Sequence, residues 1–168
     1  MFNQKDKQLS LIEPTQSVRI CAFTGHRSLE EDLSKSALKK QVKEMIKKGV
    51  DTFLCGMAVG FDLLAAETVL ALKKKYPSVK LIACIPCYGQ ERFFLEEDKK
   101  RYAVLVQNAD EKTVLAEHYY KGCMQKRDIY MADRADVMLA YCKKETGGAA
   151  FTVRYFQRKY PNKEIVFL

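Results

Sequence analysis

No stretch of this sequence is apolar for long. A membrane helix needs about 18 consecutive apolar residues and a secretory signal an uninterrupted apolar core of about 7–15, and neither occurs. Met1 to Ser17 instead mixes Lys5, Asp6, Lys7 and Glu13 with short islands such as Leu9, Leu11 and Ile12. The expectation is a cytoplasmic protein without a membrane partner, with a flexible arm over residues 1–17 and one domain over 18–168. Three motifs are also missing: the G-x-G-x-x-G dinucleotide fingerprint, the G-x-x-x-x-G-K-[ST] phosphate loop and the G-x-S-x-G nucleophile elbow. Their absence argues against the usual dinucleotide oxidoreductases, phosphate-transferring NTPases and serine hydrolases. Histidine is scarce as well. With only His26 and His118, a histidine-based triad has few possible members.

What is present is ordinary globular material. The 168 residues are 48% hydrophobic and 30% charged, which excludes disordered and fibrous classes. A domain of this length buries roughly 70% of its unfolded surface and needs no disulfide or metal to hold a core. Lys plus Arg exceed Asp plus Glu by 29 to 21, a formal charge of +8, which suits an anionic partner. Most of the lysines, however, fall at outward helical positions or in last helical turns. Six cysteines suggest redox or metal chemistry until their settings are read. Cys21, Cys55, Cys84 and Cys142 lie in short apolar runs, where free cysteine packs as a small hydrophobe. Cys84 and Cys87 have C-x-x-C spacing without a thioredoxin-like order of elements, and His118 with Cys123 adds zinc-type ligands only at irregular spacing. No metal is expected.

Short apolar runs alternate with longer amphipathic ones. Val18–Thr24, Thr52–Cys55, Lys80–Ile85, Lys112–Leu115, Val137–Tyr141 and Glu164–Phe167 read as strands buried on both faces. Asp32–Lys48, Asp62–Tyr76, Glu91–Asn108, Met124–Arg134 and Gly148–Lys159 read as helices. This alternation predicts a doubly wound, Rossmann-like α/β domain, with a mainly parallel sheet and helices on both faces.

In such a sheet the ligand crevice lies beyond the carboxyl ends of the strands, where strand order reverses. The first strand is followed by Thr24, Gly25, His26 and Arg27, the second by Gly56, Met57, Ala58, Gly60 and Asp62. Pro86 and Gln90 follow the third, and Thr146, Gly147 and Gly148 the fifth. Glycines there let backbone approach a ligand, and the helix N-termini behind them offer free N–H groups to an anion. Arg27 is suited to a phosphate, Asp62 to a helix cap or a ribose hydroxyl, and Thr152 to the same phosphate. Arg127 and Asp128 open a helix at this edge.

These segments together resemble the YpsA-like branch of the SLOG superfamily: Thr24 to Arg27, Gly56 to Asp62 with Ala65, Ala66 and Glu67, and Gly147 to Tyr155. Pro86, Gln90, Arg92, Arg101, Tyr102, Arg127, Asp128 and Asp133 support the likeness, which runs from about Arg19 to Leu168. The resemblance implies a Rossmann-like fold that binds a nucleotide or nucleotide-derived ligand, such as ADP-ribose, an NAD fragment or a nucleoside phosphate. The role it favours is that of a sensor or regulatory module with no required cofactor. It also brings alternatives. LOG phosphoribohydrolases carry P-G-G-x-G-T-x-x-E, and here Thr146 to Tyr155 has the glycines and Thr152 but no matching glutamate. Glu67, Glu91 and Asp128 are then the catalytic candidates for hydrolysis of an N-glycosidic or phosphate bond. The DprA relationship adds single-stranded nucleic acid as a partner, and homo-oligomers are common in the superfamily.

Overall fold

The strands form because their residues suit burial on both faces. Ile20–Gly25 (β1), Thr52–Cys55 (β2), Lys80–Ile85 (β3), Glu111–Val114 (β4), Val137–Tyr141 (β5) and Glu164–Phe167 (β6) make one sheet. A computed structural model describes residues 17–168 of the chain. The expectation of an N-terminal arm therefore lies, apart from Ser17, outside the described residues. The strand order is β4-β3-β2-β1-β5-β6 and every neighbouring pair is parallel. The register pairs Ile20 with Thr52 and Cys21 with Val137.

Five helices cover the sheet: Lys35–Lys47 (α1), Phe61–Lys73 (α2), Glu96–Asn108 (α3), Cys123–Arg134 (α4) and Gly148–Lys159 (α5). Alternation along β1 separates the two cores. Cys21 and Phe23 face α1 and α2, in a layer that includes Phe53, Phe61, Leu81 and Tyr102. Ala22 faces α4 and α5, in a layer built from small and flexible residues, among them Met131, Ala132, Ala135, Met138 and Phe156. The chain first builds outward from β1 to β4, then returns to the other side of β1. Because crossovers keep one hand, that reversal places α4 and α5 on the opposite face. The α2 helix is buried along most of its length, from Phe61 to Ala66 and again at Val69 and Leu72. It is central core.

Boundaries differ from the sequence expectation where local chemistry intervenes. The α1 helix starts at Lys35 because the Ser34 hydroxyl caps it, accepting from Ala37 N–H at 3.2 Å. The expected helix over Glu91–Asn108 is broken: Gln90–Phe93 is a 3-10 turn, Phe94 and Leu95 are extended, and α3 begins at Glu96. The break lets Phe94 turn inward, edge-on to Tyr102 at 5.7 Å, while Phe93 and Leu95 stay exposed. Glu96, Glu97 and Asp98 then favour a helix start through the dipole. All six cysteines are free thiols, five of them buried. Burial pushes the thiols of Cys21 and Cys55 up and that of Cys84 to about 12, which suits core packing. Among the described residues no helix is long and apolar enough to cross a membrane, and no group of three His, Cys, Asp or Glu side chains is placed to hold a metal.

Candidate functional site

Strand order reverses between β1 and β5, and a cleft of about 230 Å³ opens there, at the carboxyl ends of the strands. The end of β1 supplies Thr24 and Gly25, the turn after it His26 and Arg27, the β2–α2 loop Ala58, and the first turn of α2 Asp62. The start of α4 contributes Met124, Arg127 and Asp128, and the start of α5 contributes Gly148 and Ala149. Residues far apart in the chain thus meet at one point.

A buried cation organises the floor. Arg127 is 4% exposed; its guanidinium donates to the Gly56 carbonyl and, at 2.8 Å, to Asp128 Oδ1. Burial opposes this charge, yet Asp128 and Asp62 outweigh that penalty and hold Arg127 above its ordinary value. The Asp62 carboxylate accepts from Ala58 N–H at 3.2 Å. Burial raises the Asp62 carboxyl to about 6, against the opposing pull of Arg127 and the Ala58 hydrogen bond. The floor therefore holds a fixed cation beside a buried acid pushed above the ordinary carboxylate range.

The rim is held by His26. Its Nε2 accepts from the backbone N–H groups of Lys143 at 2.8 Å and Lys144 at 3.3 Å, so the neutral ring with hydrogen on Nδ1 is the form that fits. Burial, then the Lys144 charge, lowers its pKa. This bond ties the loop after β1 to the loop after β5, across the strand reversal. Arg27 is exposed at the same rim, with no ion-pair partner among the described residues.

The glycines divide into those used inside the molecule and those left open. A Cβ on Gly56 would lie 2.6 Å from the Arg127 guanidinium, and one on Gly60, at φ +81°, would lie 2.1 Å from Arg27 O. These glycines admit the chain's own groups, the Arg127 guanidinium at Gly56 and the Arg27 carbonyl at Gly60. At Gly147, with φ +96°, nothing lies within 4 Å, and at Gly148 only Asp128 Oδ2 does, at 4.0 Å. The N-terminus of α5 has no side-chain cap. It faces the cleft bare.

Residues 16–166 match the model of the YspA SLOG family. The chain belongs to that family. A SLOG relative, the UPF0398 protein of Brevibacillus brevis, is 29% identical over 133 residues, 77% of this chain and 71% of that one. The UPF0398 protein YpsA of Bacillus subtilis is 24% identical over 144 residues, covering 79% of this chain and 80% of its own. Among solved structures, DNA processing protein A (DprA) of Streptococcus pneumoniae superposes with a TM-score of 0.63 at 17% identity. The Helicobacter pylori protein of the same name gives 0.63 at 22% identity. Both matches cover 89% of this chain, but only 50% and 64% of those chains. The SLOG fold is what this likeness shows.

Several expected site residues of this SLOG domain lie elsewhere. The Thr152 hydroxyl donates to Gly148 O at 2.8 Å, inside its own helix, because a threonine four residues into a helix finds that carbonyl first. Glu67 is clamped by Arg101 at 2.7 Å, between α2 and α3. Glu91 lines a separate hollow with Tyr88 and Tyr102. Of the three carboxylates weighed for catalysis, only Asp128 lines the cleft. Pro86 and Met57 are buried beneath the turns, Met57 with a positive φ of 58°, and Thr146 and Gly147 lie exposed at the entry to α5. Gln90 donates Nε2 to Gly56 O at 3.0 Å. Sequence reasoning missed Met124 as a wall residue. Its signals were its place at the start of a helix after Gly122 and the resemblance of Gly122, Cys123 and Met124 to the family pattern.

Proposed function

We propose that the cleft binds a phosphate-bearing nucleotide ligand and that the protein acts as a sensor or regulatory module. The observation that carries this is the pairing of opposite recognition chemistries in one cleft at the strand reversal. The uncapped α5 N-terminus at Gly147 and Gly148 and the unpaired Arg27 offer donors and positive charge to a phosphate. Asp62 and Asp128 offer acceptors to hydroxyl groups. A bare phosphate would use only the first set, whereas a ribose phosphate uses both. AMP, ADP-ribose and NAD fragments share that chemistry. Asp128 already accepts from Arg127, which favours a carboxylate that orients a ligand over one that attacks it.

The test is a titration of the protein with AMP, ADP-ribose and NAD by thermal shift and calorimetry. At least one is expected to raise the melting temperature, as any ligand selective for the native state must. Arg27→Ala, at an exposed position, is expected to weaken binding about tenfold or more, the value of a charge-assisted hydrogen bond. No shift with any of the three overturns the reading. Chromatography of the same mixtures is expected to recover the ligand intact; base or phosphate release would move the assignment to the hydrolase.

A second reading rests on one comparison. The Helicobacter pylori neighbour is described by its single-stranded DNA binding mode, and this chain carries a formal +8.

A further inference from the structure

Beside the cleft the surface turns aromatic. A hollow of about 330 Å³ is walled by Cys87, Tyr88, Gln90, Phe93 and Tyr119, and a second of about 290 Å³ lies between it and the cleft. The three spaces adjoin through shared walls: Met124 lines them all, Arg27 and Ala58 line both the cleft and the middle hollow, and Gln90 and Phe93 line both hollows. Phe93 is 92% exposed, Tyr119 68% and Tyr88 61%. Several large aromatic rings exposed together beside a polar cleft mark a surface that a ligand or partner can cover.

Gln90 gives the occupant a direction. The residue is buried, 7% exposed, and lines both hollows. Its Nε2 is committed to Gly56 O, which fixes which end of the amide is oxygen. The other end, Oε1, has no hydrogen-bond partner among the described residues. A buried acceptor left unpaired calls for a donor.

We propose that this annex seats the nucleobase of the bound ligand, stacked among Tyr88, Phe93 and Tyr119, with an amino N–H of the base donated to Gln90 Oε1. This rests on the reading of the cleft as a nucleotide-phosphate site and adds which end of the ligand goes where. The phosphate and ribose occupy the cleft between Arg27, Asp128 and α5, and the base projects past Met124. Aromatic faces accept any base, while an acceptor placed at its edge selects bases with an amino group. Adenine meets both requirements; a ligand without a base meets neither.

The experiment compares AMP, ribose 5-phosphate and purine riboside 5′-monophosphate, which lacks the amino group, by calorimetry on the wild type and on a Phe93→Ala/Tyr119→Ala variant. Both substitutions are at exposed positions. Wild type is expected to bind AMP roughly tenfold or more tightly than ribose 5-phosphate, the scale of base–aromatic stacking, with purine riboside monophosphate in between. The variant is expected to lose that preference while keeping its affinity for ribose 5-phosphate. If wild type binds AMP and ribose 5-phosphate equally, the base seat is overturned and the phosphate site stands. If none of the three binds, the base seat is overturned, and the reading of the cleft falls with it only if ADP-ribose and NAD also fail to bind. An AMP preference that survives in the variant overturns the seat, even if the substitutions dissociate an oligomer. Equal affinity for AMP and purine riboside monophosphate overturns the Gln90 contact.

Discussion

Arg127 shows how one side chain sets the character of a site. Its guanidinium satisfies the Gly56 carbonyl and Asp128, and its charge favours the ionised form of Asp62 against the pull of burial. Removing it takes the cation away from the buried Asp62 and the half-buried Asp128, and leaves the Gly56 carbonyl with Gln90 alone. Arg127→Met is expected to cost about 3–5 kcal/mol in urea unfolding; a loss below about 1 kcal/mol would mean that water replaces the guanidinium freely. Asp62 makes the converse case. Its folded-state pKa is raised to about 6, so its contribution to stability is fully present below the ordinary carboxylate value and is lost as pH rises through 6. Asp62→Asn stays neutral throughout. Between pH 4 and pH 7 the variant is expected to gain on wild type by on the order of 2 kcal/mol, read from urea midpoints at each pH. Parallel pH profiles would show that Asp62 is solvated in the folded protein. Arg127 and Asp62 were both chosen from the sequence as ligand contacts. Their burial could not be read there, because burial depends on what α4 brings against β2.

At the scale of elements, the informative unit is the pair of loops that meet across the strand reversal. His26 closes that pair by accepting from Lys143 and Lys144 N–H, and a protonated ring cannot do so. With its pKa lowered in the folded state, the stabilisation is fully present above the ordinary imidazole value. It is lost as pH falls through the lowered one. His26→Ala is therefore expected to cost about 1 kcal/mol near pH 8 and markedly less near pH 5, measured by denaturant unfolding at both. A cost that persists at pH 5 would mean that the ring acts only as packing against Tyr141, 5.7 Å away between ring centroids. The stretch from Gln90 to Glu96 teaches a different lesson. Its residues have helical character, so periodicity joins them to α3, but the inward turn of Phe94 onto Tyr102 is a tertiary contact that no local pattern reveals. That break leaves Phe93 exposed and Gln90 buried, and so creates the aromatic annex.

Over the whole molecule, the +8 charge is spread rather than concentrated. Lys35, Lys39, Lys40 and Lys47 stand exposed on α1, and Lys74 and Lys75 after α2, as outward helical positions require. A small nucleotide in the cleft would engage Arg27 and the α5 N-terminus, so its affinity is expected to fall only modestly between 50 and 200 mM salt. A single-stranded oligonucleotide held through many phosphates would instead lose orders of magnitude over the same range, which fluorescence anisotropy distinguishes. Much of the architecture was legible in the chain. The β2, β3, β5, β6 and α5 spans fall where apolar runs, glycines and prolines place them, because both-face burial and capping leave local marks. The strand–helix alternation implied a parallel sheet, and the glycines after its strands marked the edge where the cleft lies. The sequence by itself determined the fold class, the family and the edge of the sheet at which the cleft opens. Only the tertiary structure decided that β1 and β5 are neighbours, that Gly56 and Gly60 make room for Arg127 and Arg27 while Gly147 and Gly148 stay open, and that Thr152 turns away from the cleft. Local propensity acts over a few residues, whereas whether a side chain is buried, paired or left facing a cleft is set by segments a hundred residues apart in the chain.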